Sequence, residues 1–198
     1  MLAKRGVSVD QFAYLSVLIS IIMGLGITHL LTGLGRFLGG SDAPRVFWVH
    51  VVWTVNIILY QAFFWWFTFK WADLEIWTFG LFLFVLAYAI LLYLLAVILY
   101  PVGLPAGFDF RDHFYRRRRW FFFVLAFLSI VDLVDTVLKG PENTAGVGRA
   151  GLIFLAGSMS GPVAAAVVRR PLFHKIYSVY WGAALISWIL YSQGVLRG

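Results

Sequence analysis

An all-α, polytopic membrane protein of six transmembrane helices is the fold class this sequence predicts, and three observations predict it. Of its 198 residues, 62% are hydrophobic and 13% charged, whereas soluble domains are about half apolar and roughly a quarter charged. Mean hydropathy is +0.87. Six apolar segments, each near the ~20 residues that cross a bilayer, take up most of the chain. The rest reads as short connections, so one transmembrane domain covers 1–198 and no separate soluble catalytic domain is expected.

Span 1, about 11–38, follows Lys4 and Arg5. Its apolar run is longer than a signal-peptide core and lacks a clear small-x-small cleavage site, so it reads as a span. Ser16, Ser20, Gly24, Thr28 and Thr32 recur along it every fourth residue. Steps of four stay on one slowly drifting face, and small residues let helices approach closely in lipid. This ladder makes span 1 the expected central packing post. The breaker-rich turn 39–44 leads to span 2, about 45–69, heavy in Trp and Phe. A tight connection, 70–75, precedes span 3, about 76–100, the most uniformly apolar, which ends at Pro101. Residues 101–119, PVGLPAGFDFRDHFYRRRR, read as a long loop with much of the basic charge. Span 4 is about 120–138, closed by Lys139-Gly140-Pro141, and spans 5 and 6 are about 147–168 and 172–196. Gly157, Gly161 and Ala165 give span 5 a small-residue ladder of its own, with Pro162 inside the span. Span 6 carries Tyr177, Tyr180, Ala184, Ser187 and Tyr191 at helical spacing.

Ten Lys and Arg fall in the first, third and fifth connections and six on the other side. The positive-inside bias then places a cell-membrane protein with both termini outside and the Arg-rich loop 101–119 in the cytoplasm. Spans 1 and 4 share an aromatic start, a Leu-Ser-Ile-like centre and a late polar residue. The six could therefore divide into two inverted three-helix repeats, a plan many transporters use.

The net charge of +7 raises nucleic acid as a partner. The basic residues flank spans, however, so the partners expected are the lipid bilayer and its anionic headgroups, with no nucleic acid. Arg116, Arg117, Arg118 and Arg119 are the expected lipid-binding residues. With no Cys there is no disulfide, thiolate metal site or Cys nucleophile. No phosphate-binding Gly loop, no HExxH and no voltage-sensor Arg ladder occurs, and neither a catalytic site nor a metal or cofactor is assigned.

The residues that could carry chemistry are polar ones inside spans. Asp132 and Asp135 lie three apart in span 4, on a stripe with Ser129, Thr136 and Lys139. An ionisable residue deep in a span costs ~2.5–3.5 kcal/mol on insertion scales and usually faces the bundle or water. Lys139, four residues after Asp135, is a natural partner for it, while Asp132 has no local cation. In span 2, His50, Thr54, Gln61 and Thr68 share a face, and Asn56 lies on another. Both His29, near the end of span 1, and His50, near the start of span 2, lie on the order of 10 Å below the Arg-rich boundary. Depth-matched, they could meet or serve one site. His113 and His174 read as unremarkable loop residues.

Ordered by depth, Asp135 and Asp132, then Gln61, Asn56 and Thr54, then His50 and His29 outline a polar path between helices 1, 2 and 4. The leading expectation is a small transporter or channel for a proton, an ion or a small solute. A non-transporting scaffold, sensor or subunit of a larger complex, including a homo-oligomer built on the small-residue faces, fits much of the same pattern. A membrane enzyme or haem carrier using His29 and His50 is the remaining alternative, since transmembrane b-type haem needs facing His ligands.

Overall fold

The computed structural model describes residues 3–38, 44–74, 76–103, 105, 108–140 and 148–195. They form six helices, with no strand among the described residues: α1 Ala3–Gly35, α2 Trp48–Phe67, α3 Phe79–Leu99, α4 Phe110–Leu138, α5 Gly148–Val167 and α6 Pro171–Val195. The first four are long and apolar enough to cross a membrane, and α5 adds a shorter apolar stretch, Gly151–Val167. Large apolar side chains cover the outside, among them Val17, Ile21, Phe127, Ile176 and Leu190. A surface of that kind requires lipid rather than water.

The long connection ends sooner than expected. Asp109 caps a helix, its carboxylate accepting from the backbone N–H groups of Arg111 and Asp112 at 2.8 and 3.2 Å, a standard way to satisfy orphan donors at a helix start. Phe110, Phe114, Phe121, Leu125 and Leu128 then recur at three-, four- and seven-residue steps, and all are buried, as is Phe122. Arg116 to Arg119 therefore lie on the first turns of α4, not on a loop. At ~1.5 Å per residue, the 29 residues of α4 exceed a ~30 Å hydrocarbon core, enough to carry those turns to headgroup level. A single hydrogen bond, Arg45 N–H to Phe108 C=O at 3.1 Å, ties the approach to α2 to the approach to α4.

The hub is α2, not α1. It packs against α1, α3, α4 and α6, whereas α1 packs on α2 and α3. The face that α1 buries carries Leu15, Ile19, Met23 and Leu30, with Gly26 and Gly33 between them. A methyl group at Gly26 would lie 2.8 Å from Gln61 Oε1, and one at Gly33 would lie 2.3 Å from the Tyr100 ring. Those two glycines are where α1 is approached most closely, while of the ladder Ser20 accepts from the Trp65 indole N–H of α2 at 3.0 Å. Ser20, Gly24, Thr28 and Thr32 are exposed, and a methyl at Gly24 would touch nothing. On α5, Gly161 is approached by Tyr177 of α6, while Gly157 is open. The triplets also differ in packing. α1, α2 and α3 all pack on one another, whereas α6 packs on α5 and returns to α2.

Candidate functional site: a carboxylate between three helices

Polar side chains gather at two levels along α2. At the first, Asp132 of α4 reaches inward to two phenols. Tyr60 of α2 donates to its Oδ2 at 2.5 Å, and Tyr88 of α3 donates to its Oδ1. The two phenol oxygens lie 3.4 Å apart. Both tyrosines are buried, at 5% and 2% exposure. A buried phenol needs a partner for its hydroxyl, and here two of them share one carboxylate. One side chain thus joins α2, α3 and α4.

Asp135, one turn on, is held differently. Lys139 Nζ reaches its Oδ2 at 2.5 Å, and the indole N–H of Trp71 donates to its Oδ1 at 3.0 Å. Lys139 Nζ also sits 5.4 Å from the Trp71 ring centre, within cation–π range. The expected pairing of Asp135 with Lys139 is present, with Trp71 as an added donor from the segment after α2. Ser129, on the same stripe in sequence, turns instead to α5 and donates to the Ser158 carbonyl at 2.8 Å.

Two amides, Gln61 beside Tyr60 and Asn56 one turn nearer His50, are helix pins. Gln61 donates to the Leu92 carbonyl of α3 at 3.0 Å, and Asn56 donates to the Ser178 carbonyl of α6 at 2.9 Å. Each lies against a glycine of a neighbouring helix, Gln61 against Gly26 and Asn56 against Gly182, where a methyl would fall 2.4 Å from Asn56 Oδ1. The two amides point to different partners, as their separate faces imply.

At the second level, Tyr100 links the two histidines. His29 Nε2 donates to the Tyr100 carbonyl at 2.6 Å, and the His50 ring meets the Tyr100 ring edge-on at 4.8 Å between centres. Thr54 gives its proton to the His50 carbonyl at 2.9 Å, so the Tyr100 hydroxyl donates to Thr54 Oγ1, also at 2.9 Å. His50 is completely buried between Tyr100, Phe110 and His113, and neither of its ring nitrogens has a hydrogen-bond partner among the described residues. With His29 engaged by a carbonyl and His50 boxed by aromatic rings, the pair does not present two facing ligands to a haem iron. His113 and His174, expected in loops, are buried within α4 and α6. No group of three or more His, Cys, Asp or Glu side chains suited to a metal occurs among the described residues.

Between these levels the interior is aromatic. Trp53 packs on Phe121, Phe122, Tyr177 and Trp181. A cavity of about 100 Å³ lies between α1 and the far end of α2, lined by Ser16, Ser20, Trp65 and Thr68 among others, and a void of about 10 Å³ lies beside His50 and His113. Neither is lined by Asp132. The four arginines divide too: Arg116, Arg117 and Arg119 are exposed, Arg118 is 5% exposed, and Arg116 pairs with Asp112 at 3.2 Å.

Sequence reading missed Tyr60, Tyr88 and Tyr100. For Tyr60 and Tyr88 the signal was depth: Tyr favours membrane interfaces, so a Tyr in mid-span implies an internal hydrogen-bond partner, whereas Tyr100, at the end of α3, carried no such signal. The chain matches no family model, no curated protein and no solved structure.

Proposed function

We propose that this chain is a small integral membrane transporter for a proton or cation, with Asp132 as the group that takes up and releases charge. What supports the reading is the Asp132 carboxylate, gripped by Tyr60 and Tyr88 inside the bundle. Asp135 has a cation beside it, while the donors on Asp132 are neutral phenols. Gain of a proton or a cation therefore changes the net charge at Asp132, a part-buried carboxylate, and carboxylates within spans mark proton and ion routes. The route runs from Asp132 past Gln61 to the Thr54–Tyr100–His29 cluster. It lies among α2, α3 and α4 at one end and α1, α2 and α3 at the other. On the count of Lys and Arg, the Arg-rich end of α4 faces the cytoplasm of a cell-membrane protein and meets anionic headgroups.

The test is flux. In vesicles loaded with a pH-sensitive dye and given a cation gradient, the wild-type protein should dissipate the gradient and Asp132→Asn should lose at least tenfold of that rate. Absence of flux in the wild type, or equal flux in the variant, removes the reading.

A second reading, a homo-oligomeric scaffold or subunit, is favoured by one observation: the Ser20–Gly24–Thr28–Thr32 face of α1 is exposed. Small-residue faces support helix association in lipid. Loss of an oligomer on Gly24→Leu would support it, and a monomeric wild type would exclude the homo-oligomer.

A further inference from the structure

Arg118 stands apart from the arginines around it. The residue is 5% exposed, and its Nη1 donates to the Tyr115 carbonyl at 2.9 Å. Nε and Nη2, the other two donor atoms, are out of contact with solvent and have no hydrogen-bond partner among the described residues. These two nitrogens share one edge of the guanidinium, the edge whose parallel N–H bonds fit a carboxylate or phosphate fork to fork. No carboxylate comes within ion-pair distance of Arg118 among the described residues, and Arg119 and Arg169 bring like charge to bear on it.

A buried cation left in that condition is strongly unfavourable, so the environment calls for an anion. One neighbour is a donor as well: the Tyr115 hydroxyl is buried with no hydrogen-bond partner among the described residues. A void of about 10 Å³ adjoins Arg118, Arg117, His50 and His113. That is room for about one water, and Arg117, which also lines the void, is exposed.

We propose that Arg118 anchors a phosphate-binding site at the start of α4, taking the phosphate of an anionic lipid headgroup or a free phosphate, with Arg117 and Arg169 as outer counter-charges. Basic pockets between helices at headgroup level are where anionic lipids are held specifically. The inference does not depend on transport by Asp132, and it is tested by binding rather than flux.

Purified protein in a neutral detergent is titrated with phosphatidylglycerol, and separately with inorganic phosphate against chloride at equal ionic strength. Native mass spectrometry and melting temperature are the readouts. Wild type should bind phosphatidylglycerol about tenfold more tightly than Arg118→Gln, with Arg118→Lys between them and Arg116→Gln within about twofold of wild type. Without anion, Arg118→Gln should melt no lower than wild type, because it loses an uncompensated charge. A response to lipid and not to inorganic phosphate assigns the headgroup, and a response to both assigns phosphate generally. Equal affinity of wild type and Arg118→Gln for both ligands overturns the site, as does an equal loss in Arg116→Gln. Should Arg118→Gln not fold, Arg118→Lys decides: it keeps the charge without the fork, so weakened binding supports the site and unchanged binding overturns it.

Discussion

At the Tyr60 end of α2 the charged and hydroxyl groups are matched to one another: Asp132 with two phenols, Asp135 with Lys139 and Trp71. At the His50 end, about ten residues and ~15 Å away along the same helix, His50 and Arg118 are as deeply buried yet leave two nitrogens each without partners. The contrast separates two uses of buried polarity. Matched groups hold α2, α3 and α4 together and can exchange a proton within the set. Unmatched nitrogens carry an unmet cost of desolvation, which a ligand from outside the chain can relieve.

Breaking a match at the first end should therefore cost most where charge is involved. Asp135→Leu removes the carboxylate that lies 2.5 Å from Nζ of Lys139, whose side chain is 6% exposed. Loss of one partner of a buried ion pair costs roughly 3–5 kcal/mol, whereas replacing both is often close to neutral. The double variant Asp135→Leu, Lys139→Met should therefore be more stable than Asp135→Leu by unfolding in detergent. If the double is the worse of the two, this pair is not acting as a matched set.

Next in size are the phenols. Tyr88→Phe removes one donor from Asp132 and should cost about 1–3 kcal/mol, as for a hydrogen bond to a charged group. Tyr60→Phe should cost a similar amount. Because each change leaves the carboxylate one donor, the double variant should lose more than the sum, a coupling read from the completed cycle. Additive losses would mean that the two hydroxyls serve Asp132 independently, and the three-helix clasp would be two separate contacts.

Much of the first end was legible in the residues, and little of the second. Asp132 had no local cation and had to turn inward; Asp135 had Lys139 four residues later; Asn56 lay off the face shared by Gln61 and Thr54. Each of these is a polar constraint. The misreadings arose where only apolar or small residues could speak. In lipid the tails are as apolar as Leu, so burial leaves no alternation of polar and apolar along a helix. Leu15, Ile19, Met23 and Leu30 face the bundle while Val17, Ile21 and Leu25 face away, and composition does not distinguish the two sets. The Ser/Gly/Thr ladder of α1 marked an equally plausible face, but the packed one is defined by Gly26 and Gly33, whose partners Gln61 and Tyr100 lie on other helices. Asp109 carried a readable cap signal, obscured by the charge of the run that follows it. Arg118 could not be told from Arg117 or Arg119 without knowing where the start of α4 meets its neighbours.

The smallest expected effect sharpens the comparison most, because it reverses the usual ranking by burial. His50 is fully buried and His29 partly so, so burial would make His50 the costlier residue to replace. The hydrogen bonds predict otherwise. His29→Phe forfeits the bond to the Tyr100 carbonyl, worth about 1 kcal/mol. His50→Phe forfeits none, keeps an aromatic ring against Tyr100 and Phe110, and relieves two nitrogens of burial without partners. His50→Phe should thus be neutral or stabilising, within about 1 kcal/mol of wild type on the net scale of a single hydrogen bond, and more stable than His29→Phe by thermal unfolding in detergent. A loss of more than about 2 kcal/mol at His50 would mean that its ring is matched after all, by a water held in the 10 Å³ void beside it. The two ends of α2 would then differ in the identity of their partners and no longer in whether they have them.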